Sequence, residues 1–143
     1  MKYIESKNNS IFKNIKRLLL KPKNRKNSKR FVVEGLKEIM LCLESNYNLI
    51  ELYVCSEIHN QKYDDLYIEY NASNLSKKLY KELSYKEKGD GFIAIFHSKE
   101  FDLDQLILPK NPFILVAESP EKPGNIGAIL RTADAAGIDA VII

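Results

Sequence analysis

Apolar positions near the start of the chain recur at helical spacing. Ile11, Ile15, Leu18 and Leu19 fall on one stripe, with Lys13, Lys16 and Arg17 off it. This pattern predicts a helix over about residues 11–20, capped by Ser10 and stopped by Pro22. Lys21 to Arg30 contains six basic residues and no acid, and reads as a loop. Phe31-Val32-Val33 is a short buried strand. Gly35 then leads into about ten residues with Leu36, Ile39, Met40 and Leu43 on one helix face, and Asn46 and Asn48 mark the exit. Leu49 to Val54 is β-branched and aromatic-rich, a second strand. Residues 56–65 are polar loop, Leu66 to Tyr70 a short strand, and Ser73 or Ser76 caps a helix containing Leu75, Leu79 and Leu83. Lys86 to Asp90 is a charged turn, and Gly91 to Phe96 a strand.

Strands alternating with short helices predict an α/β layer fold with a mainly parallel or mixed sheet. Residues 98–112 are charged, then punctuated by Pro109 and Pro112. This divides the chain into a basic N-terminal helix and loop (1–30), a first domain (31–98), a linker (99–112) and a further segment (113–143). In that last segment Phe113 to Ala117 is a continuous apolar run, as in a strand buried on both faces of a parallel sheet. A turn and helix follow, Gly137 serves as the C′ residue, and Ala140 to Ile143 starts another strand. The pattern is a βαβ unit cut within its second strand, so a second domain is expected to be incomplete.

The turn and helix carry the candidate chemistry. Pro123 fixes one φ angle, Gly124 opens conformations closed to other residues, and Asn125 is placed as the N-cap. Gly127 leaves the first turn without a side chain. Ile126, Ile129, Leu130, Ala133 and Ala136 share the face expected to pack on the sheet. Arg131 projects from roughly the opposite side, between Ala128 and Ala135. From the residues alone, Asn125 is either an ordinary cap or a site residue, and Arg131 either a surface salt bridge or a ligand contact. Gly124 to Gly127 matches the GXXG of KH domains, but that loop joins two helices and here a strand precedes it. No GxGxxG and no Walker lysine is present.

Charge changes the picture more than composition does. Residues 1–30 hold eleven Lys/Arg and one Asp/Glu, a net +10, whereas residues 31–143 hold eleven and eighteen, a net −7. A basic segment on an otherwise acidic chain predicts an anionic partner. Cys42 and Cys55 form no CxxC pair and read as reduced thiols of a cytoplasmic protein. No run approaches a membrane span, and His59 and His97 stand apart from any carboxylate cluster, so neither membrane nor metal is expected.

Residues 123–137, Pro-Gly-Asn-Ile-Gly-Ala-Ile-Leu-Arg-Thr-Ala-Asp-Ala-Ala-Gly, resemble the first signature motif of the SpoU/TrmH-type RNA ribose 2′-O-methyltransferases of the SPOUT superfamily. Lys29 to Gly35 is similar to the start of that family's small substrate-binding domain, and Gly91 to Ala94 to its last strand. The resemblance implies a ribosomal-protein-like α/β/α domain followed by the start of a trefoil-knot domain. It further implies S-adenosylmethionine as cofactor, rRNA or tRNA as substrate, and a homodimer. By position it makes Asn125 and Arg131 the motif's asparagine and catalytic arginine. Arg131 would serve either to activate the ribose 2′-hydroxyl or, since a guanidinium is almost never deprotonated, as an electrostatic clamp. The family's second and third motifs have no counterpart in these residues. The 143 residues alone are therefore expected to bind no S-adenosylmethionine and to transfer no methyl group.

Lys13, Lys16, Arg17, Lys21, Lys23, Arg25, Lys26, Lys29 and Arg30 are the candidate RNA contacts, tracking a phosphate backbone without choosing sequence. A solvated tail is the alternative. Two other functions compete: a non-catalytic RNA- or ribosome-binding module, which has no use for residues 123–137, and a shortened paralogue that dimerises with a complete enzyme.

Overall fold

Two-sided burial organises the first of two units in this computed structural model. The model describes residues 2–59 and 68–143, and the units are Met1–Lys99 and Glu100–Ile143. In the first, chain order runs β1 (Tyr3–Ile4), α1 (Ser10–Leu20), α2 (Pro22–Ser28), β2 (Arg30–Glu34), α3 (Leu36–Glu44), β3 (Leu49–Val54), β4 (Ser73–Leu75), α4 (Lys77–Leu83) and β5 (Phe92–His97). The sheet order is β1-β4-β3-β5-β2. The β1–β4 and β3–β4 pairs are parallel, and β5 lies antiparallel between β3 and β2.

Alternation along β5 separates two cores. Ile93 and Ile95 join Phe12, Ile15 and Leu18 of α1 and Leu79, Tyr80 and Leu83 of α4. Phe92, Ala94 and Phe96 join Ile39 of α3 with Leu52 and Val54 of β3. The result is helix, sheet, helix. Each fully buried aliphatic or aromatic side chain contributes roughly 1.5–3 kcal/mol of transfer free energy.

The structure corrects several expectations for this unit. The cap of α1 is Asn9, whose side chain accepts the Ile11 N–H at 2.8 Å, and Ser10 is already helical. Phe12 is buried and Leu19 exposed, so the buried stripe is Phe12, Ile15 and Leu18. Residues 22–28 are helix rather than loop. Pro22 does end α1, because it cannot donate to a preceding turn, and the same property suits it to N1 of α2. Lys29, in the left-handed region at φ 51°, closes that helix. Leu75 belongs to a short strand between β1 and β3, and the following helix begins after Ser76, which accepts the Leu79 N–H. Ile68 and Glu69 are helical, not strand. Tyr70 is a turn residue, and Leu66, Tyr67 and most of the predicted 56–65 loop lie outside the described residues.

The second unit contains a 3-10 turn (Leu103–Gln105), β6 (Ile114–Val116), α5 (Pro123–Ala135) and β7 (Ala140–Ile142). The strands pair in parallel, Ile114 opposite Ala140 and Val116 opposite Ile142, so the βαβ unit is present. The strand starts are tied reciprocally. The Phe113 N–H donates to Asp139 Oδ2 at 2.7 Å, and the Asp139 N–H to the Phe113 carbonyl at 2.9 Å. Burial differs from expectation. Ile114 and Leu115 are only partly covered and Val116 is exposed, because this sheet has two strands among the described residues.

Candidate functional site

The first turn of α5 is built differently from the sequence reading. Lys122 is the N-cap residue and makes no side-chain capping bond; Pro123 is at N1. Asn125 therefore lies inside the helix, donating its own N–H to the Lys122 carbonyl at 2.9 Å. Pro123 sets this frame, because its fixed φ and missing N–H fit the first helical position. Gly124 is helical rather than a left-handed turn residue. Asn125 and Arg131 are both exposed, six positions apart and so about 120° apart around the axis. On the predicted sheet-facing side Ala133 is buried and Ile126 and Ile129 partly so, but Leu130 and Ala136 are exposed.

Arg131 leans back along its helix. A Cβ built on Gly127 would lie 3.5 Å from Arg131 Nη1, which places the guanidinium over the preceding turn. Side chains at i and i−4 share a face, and helix geometry tilts each towards the N-terminus. An exposed guanidinium fork on a helix face is suited to an anion. A groove of about 460 Å³ in the same unit is lined by Phe101, Leu103, Leu106 and residues 139–143, and includes neither Asn125 nor Arg131.

The nine basic candidates lie in the first unit, on α1, α2 and the start of β2. Lys13, Arg17, Lys21, Lys23, Lys26 and Lys29 are exposed. Arg25 is committed elsewhere: its Nη1 donates to the Leu18 carbonyl at 2.7 Å and the Leu19 carbonyl at 3.0 Å, closing the end of α1. Lys16 reaches Glu82 of α4 at 2.7 Å, and Lys7 pairs with the same carboxylate. Their hydrogen bonds hold the Glu82 carboxyl below the usual range. Arg30 begins β2 opposite His97. The helix–helix elbow thus presents lysines and Arg17, while Arg25 holds it together and Lys16 ties α1 to α4.

Sequence reading missed two arrangements. Around Gly35, the Leu36 N–H donates to Asp90 at 2.7 Å and Lys86 pairs with Glu38 at 2.8 Å, while Glu34 accepts from Ser84 and the Tyr85 N–H. Lys99 stands over the Tyr47 ring. Partners about fifty residues apart leave no local signal. The hydrogen bond from Lys86 lowers the Glu38 carboxyl, and its counterpart raises the Lys86 ammonium. Burial pushes both free cysteine thiols up. Among the described residues no His/Cys/Asp/Glu group suits a metal, and no helix is long and apolar enough to cross a membrane.

Residues 8–94 match the family model of the MRM3-like substrate binding domain. The chain is 31% identical over 143 residues to the 23S rRNA guanosine 2′-O-methyltransferase RlmP of Bacillus subtilis, covering all of this chain and 54% of that protein. It is 37% identical over 105 residues to RlmB of Haemophilus ducreyi, covering 66% of this chain and 43% of that protein. The chain thus spans about half the length of these curated relatives. Among solved structures, an RNA 2′-O ribose methyltransferase superposes with TM-score 0.79 at 35% identity, over 97% of this chain and 54% of that one. The SpoU methyltransferase AviRb of Streptomyces viridochromogenes, in complex with AdoMet, superposes with TM-score 0.80 at 25% identity, over 93% and 52%. A substrate-domain match over more than half its length and a SpoU-type fold across both units place this chain in the SpoU-type RNA 2′-O-methyltransferase family.

Proposed function

We propose that these 143 residues hold RNA for, and supply the first piece of the active site of, an S-adenosylmethionine-dependent ribose 2′-O-methyltransferase acting on rRNA or tRNA. Residues 31–98 form the substrate domain, residues 1–30 its basic extension, 99–112 a linker, and 113–143 the opening βαβ of the catalytic domain. The complete protein is a cytoplasmic homodimer. The observation that carries this reading is the basic elbow of α1 and α2, six of whose side chains are exposed within a unit that matches a substrate-binding domain.

S-adenosylmethionine would supply the methyl group, but the residues here do not fit it. The groove of the second unit excludes Asn125 and Arg131, and β6 and β7 leave the ends of a two-stranded sheet open. What this chain can do chemically is hold charge. Arg131 leans over a glycine, and its guanidinium can clamp a phosphate or a developing 2′-alkoxide beside it. Asn125, on the first turn of the same helix, is the second polar contact.

Two measurements test the reading. RNA affinity should fall steeply with salt, and replacing Lys21, Lys23 and Lys26 together by Gln should flatten the log–log slope by about two units. An unchanged slope would mean that the elbow does not meet phosphate. Calorimetry of the 143 residues with S-adenosylmethionine should show no saturable binding; micromolar binding would sink that part.

A further inference from the structure

One end of the first unit's sheet gathers groups that the sequence keeps apart. Arg30 lies opposite His97, the Ser98 N–H donates to the Lys29 carbonyl at 2.8 Å, and the His97 N–H donates to the Asn48 carbonyl at 2.9 Å. The end of the basic run, the exit of β5 and the turn after α3 therefore meet. Tyr47 sits in that turn. The Phe31 ring meets it edge-on at 5.5 Å and 78°, and Phe31 in turn stacks on Phe96 at 6.0 Å and 27°. Phe96 is fully buried, so the tyrosine stands at the top of an aromatic column rooted in the core. The exposed Lys99 places its ammonium 4.5 Å from the Tyr47 ring centroid and donates to the Ser45 carbonyl at 2.6 Å.

A partly exposed ring, braced by an aromatic column and covered by one exposed lysine, is a recognisable combination. Unpaired bases stack on aromatic side chains whatever their identity, whereas bases inside an RNA helix are inaccessible to such a ring. An exposed cation–π contact is weaker than a base stack, so a lysine on a ring is a replaceable cover. We propose that Tyr47 is a stacking platform for an unpaired base of the RNA. Lys99 moves from the ring to the adjacent phosphate. This rests on the RNA-binding reading, and adds a base contact on the sheet face opposite α1.

The test uses the 143-residue chain and a mixed-sequence single-stranded RNA oligonucleotide carrying 2-aminopurine. Binding should quench the fluorophore in at least one placement along the strand. Tyr47→Phe should keep both quenching and affinity. Tyr47→Leu should abolish quenching and weaken binding roughly 5- to 100-fold with the salt slope unchanged. Lys99→Gln should instead lower that slope by about 0.7. Salt-dependent binding with no quenching at any placement would overturn the platform without help from any variant, and would leave the phosphate-binding elbow standing. Failure of the unsubstituted chain to bind RNA at all would overturn both.

Discussion

Arg25 shows what a charge pattern conceals. In sequence it is one of ten basic residues between positions 7 and 30. In the structure its guanidinium closes the end of α1 on two carbonyls. Arg25→Ala should cost about 1–2 kcal/mol of stability, the usual value of charge-assisted hydrogen bonds at a partly covered site. It should leave the salt slope of RNA binding nearly untouched, unlike any exposed lysine of the elbow. Denaturant unfolding and salt titration of the same variant separate the two roles. Asn125 failed as a predicted cap for a related reason: capping depends on where the first helical residue falls, and Pro123 took that place. Gly137 was legible because its constraint is local. It holds φ 67°, and the Gly137 and Ile138 N–H groups return to the Asp134 and Ala133 carbonyls as a Schellman closure. A Cβ there meets nothing within 4 Å. Gly137→Ala should therefore cost only the left-handed backbone penalty, about 1 kcal/mol, and Gly137→Asn less. Amide exchange across residues 123–143 measures both.

At the scale of elements, those with an apolar period were readable and those without were not. β2, β3, β5 and α3 were evident because each buries alternating or stripe-forming side chains. α2 has no buried residue, so no periodicity could reveal it; Pro22, Lys29 and Arg25 hold it instead. β4 is three residues long and gains its strand character from parallel pairing with β1 and β3, which only the tertiary fold supplies. The entry to α3 is likewise fixed from afar, and it titrates. The Glu38 carboxyl lies below its ordinary value of 4.5 because Lys86 donates to it, and Lys86 lies above its ordinary 10.5 for the same reason. A depressed carboxyl contributes stability above its unfolded pKa and loses it as pH falls through the folded value. A raised ammonium contributes below its unfolded pKa and loses it as pH rises through the folded value. The stability difference between the parent chain and Glu38→Gln should thus be flat between about pH 5 and 10 and vanish at both extremes. Its plateau should stay under about 0.5 kcal/mol, since both side chains are nearly half exposed and solvent screens them. Thermal melts across pH check it. A plateau extending unchanged to strong acid would show that the pair does not titrate as described.

At the scale of the molecule, the two units differ in how well each satisfies its own apolar surface. The first buries its large side chains in two cores on either side of five strands. The second has one two-stranded sheet and leaves Phe101, Ile107, Phe113, Val116 and Ile143 more than half exposed. Unpaired strand edges flanked by apolar side chains template pairing with another chain. The 143-residue chain should therefore self-associate through residues 113–143, with its weight-average mass rising over the micromolar range in sedimentation experiments. Lys substitutions at Val116, in β6, and at Ile143, just past β7, should suppress that rise by charging the edges. They should not change RNA affinity, because the elbow belongs to the other unit. This separates assembly from substrate binding: loss of both together would tie RNA binding to the dimer. A monodisperse monomer at every concentration, with amides of residues 113–143 protected from exchange, would refute the edge argument and show that the second unit is self-sufficient.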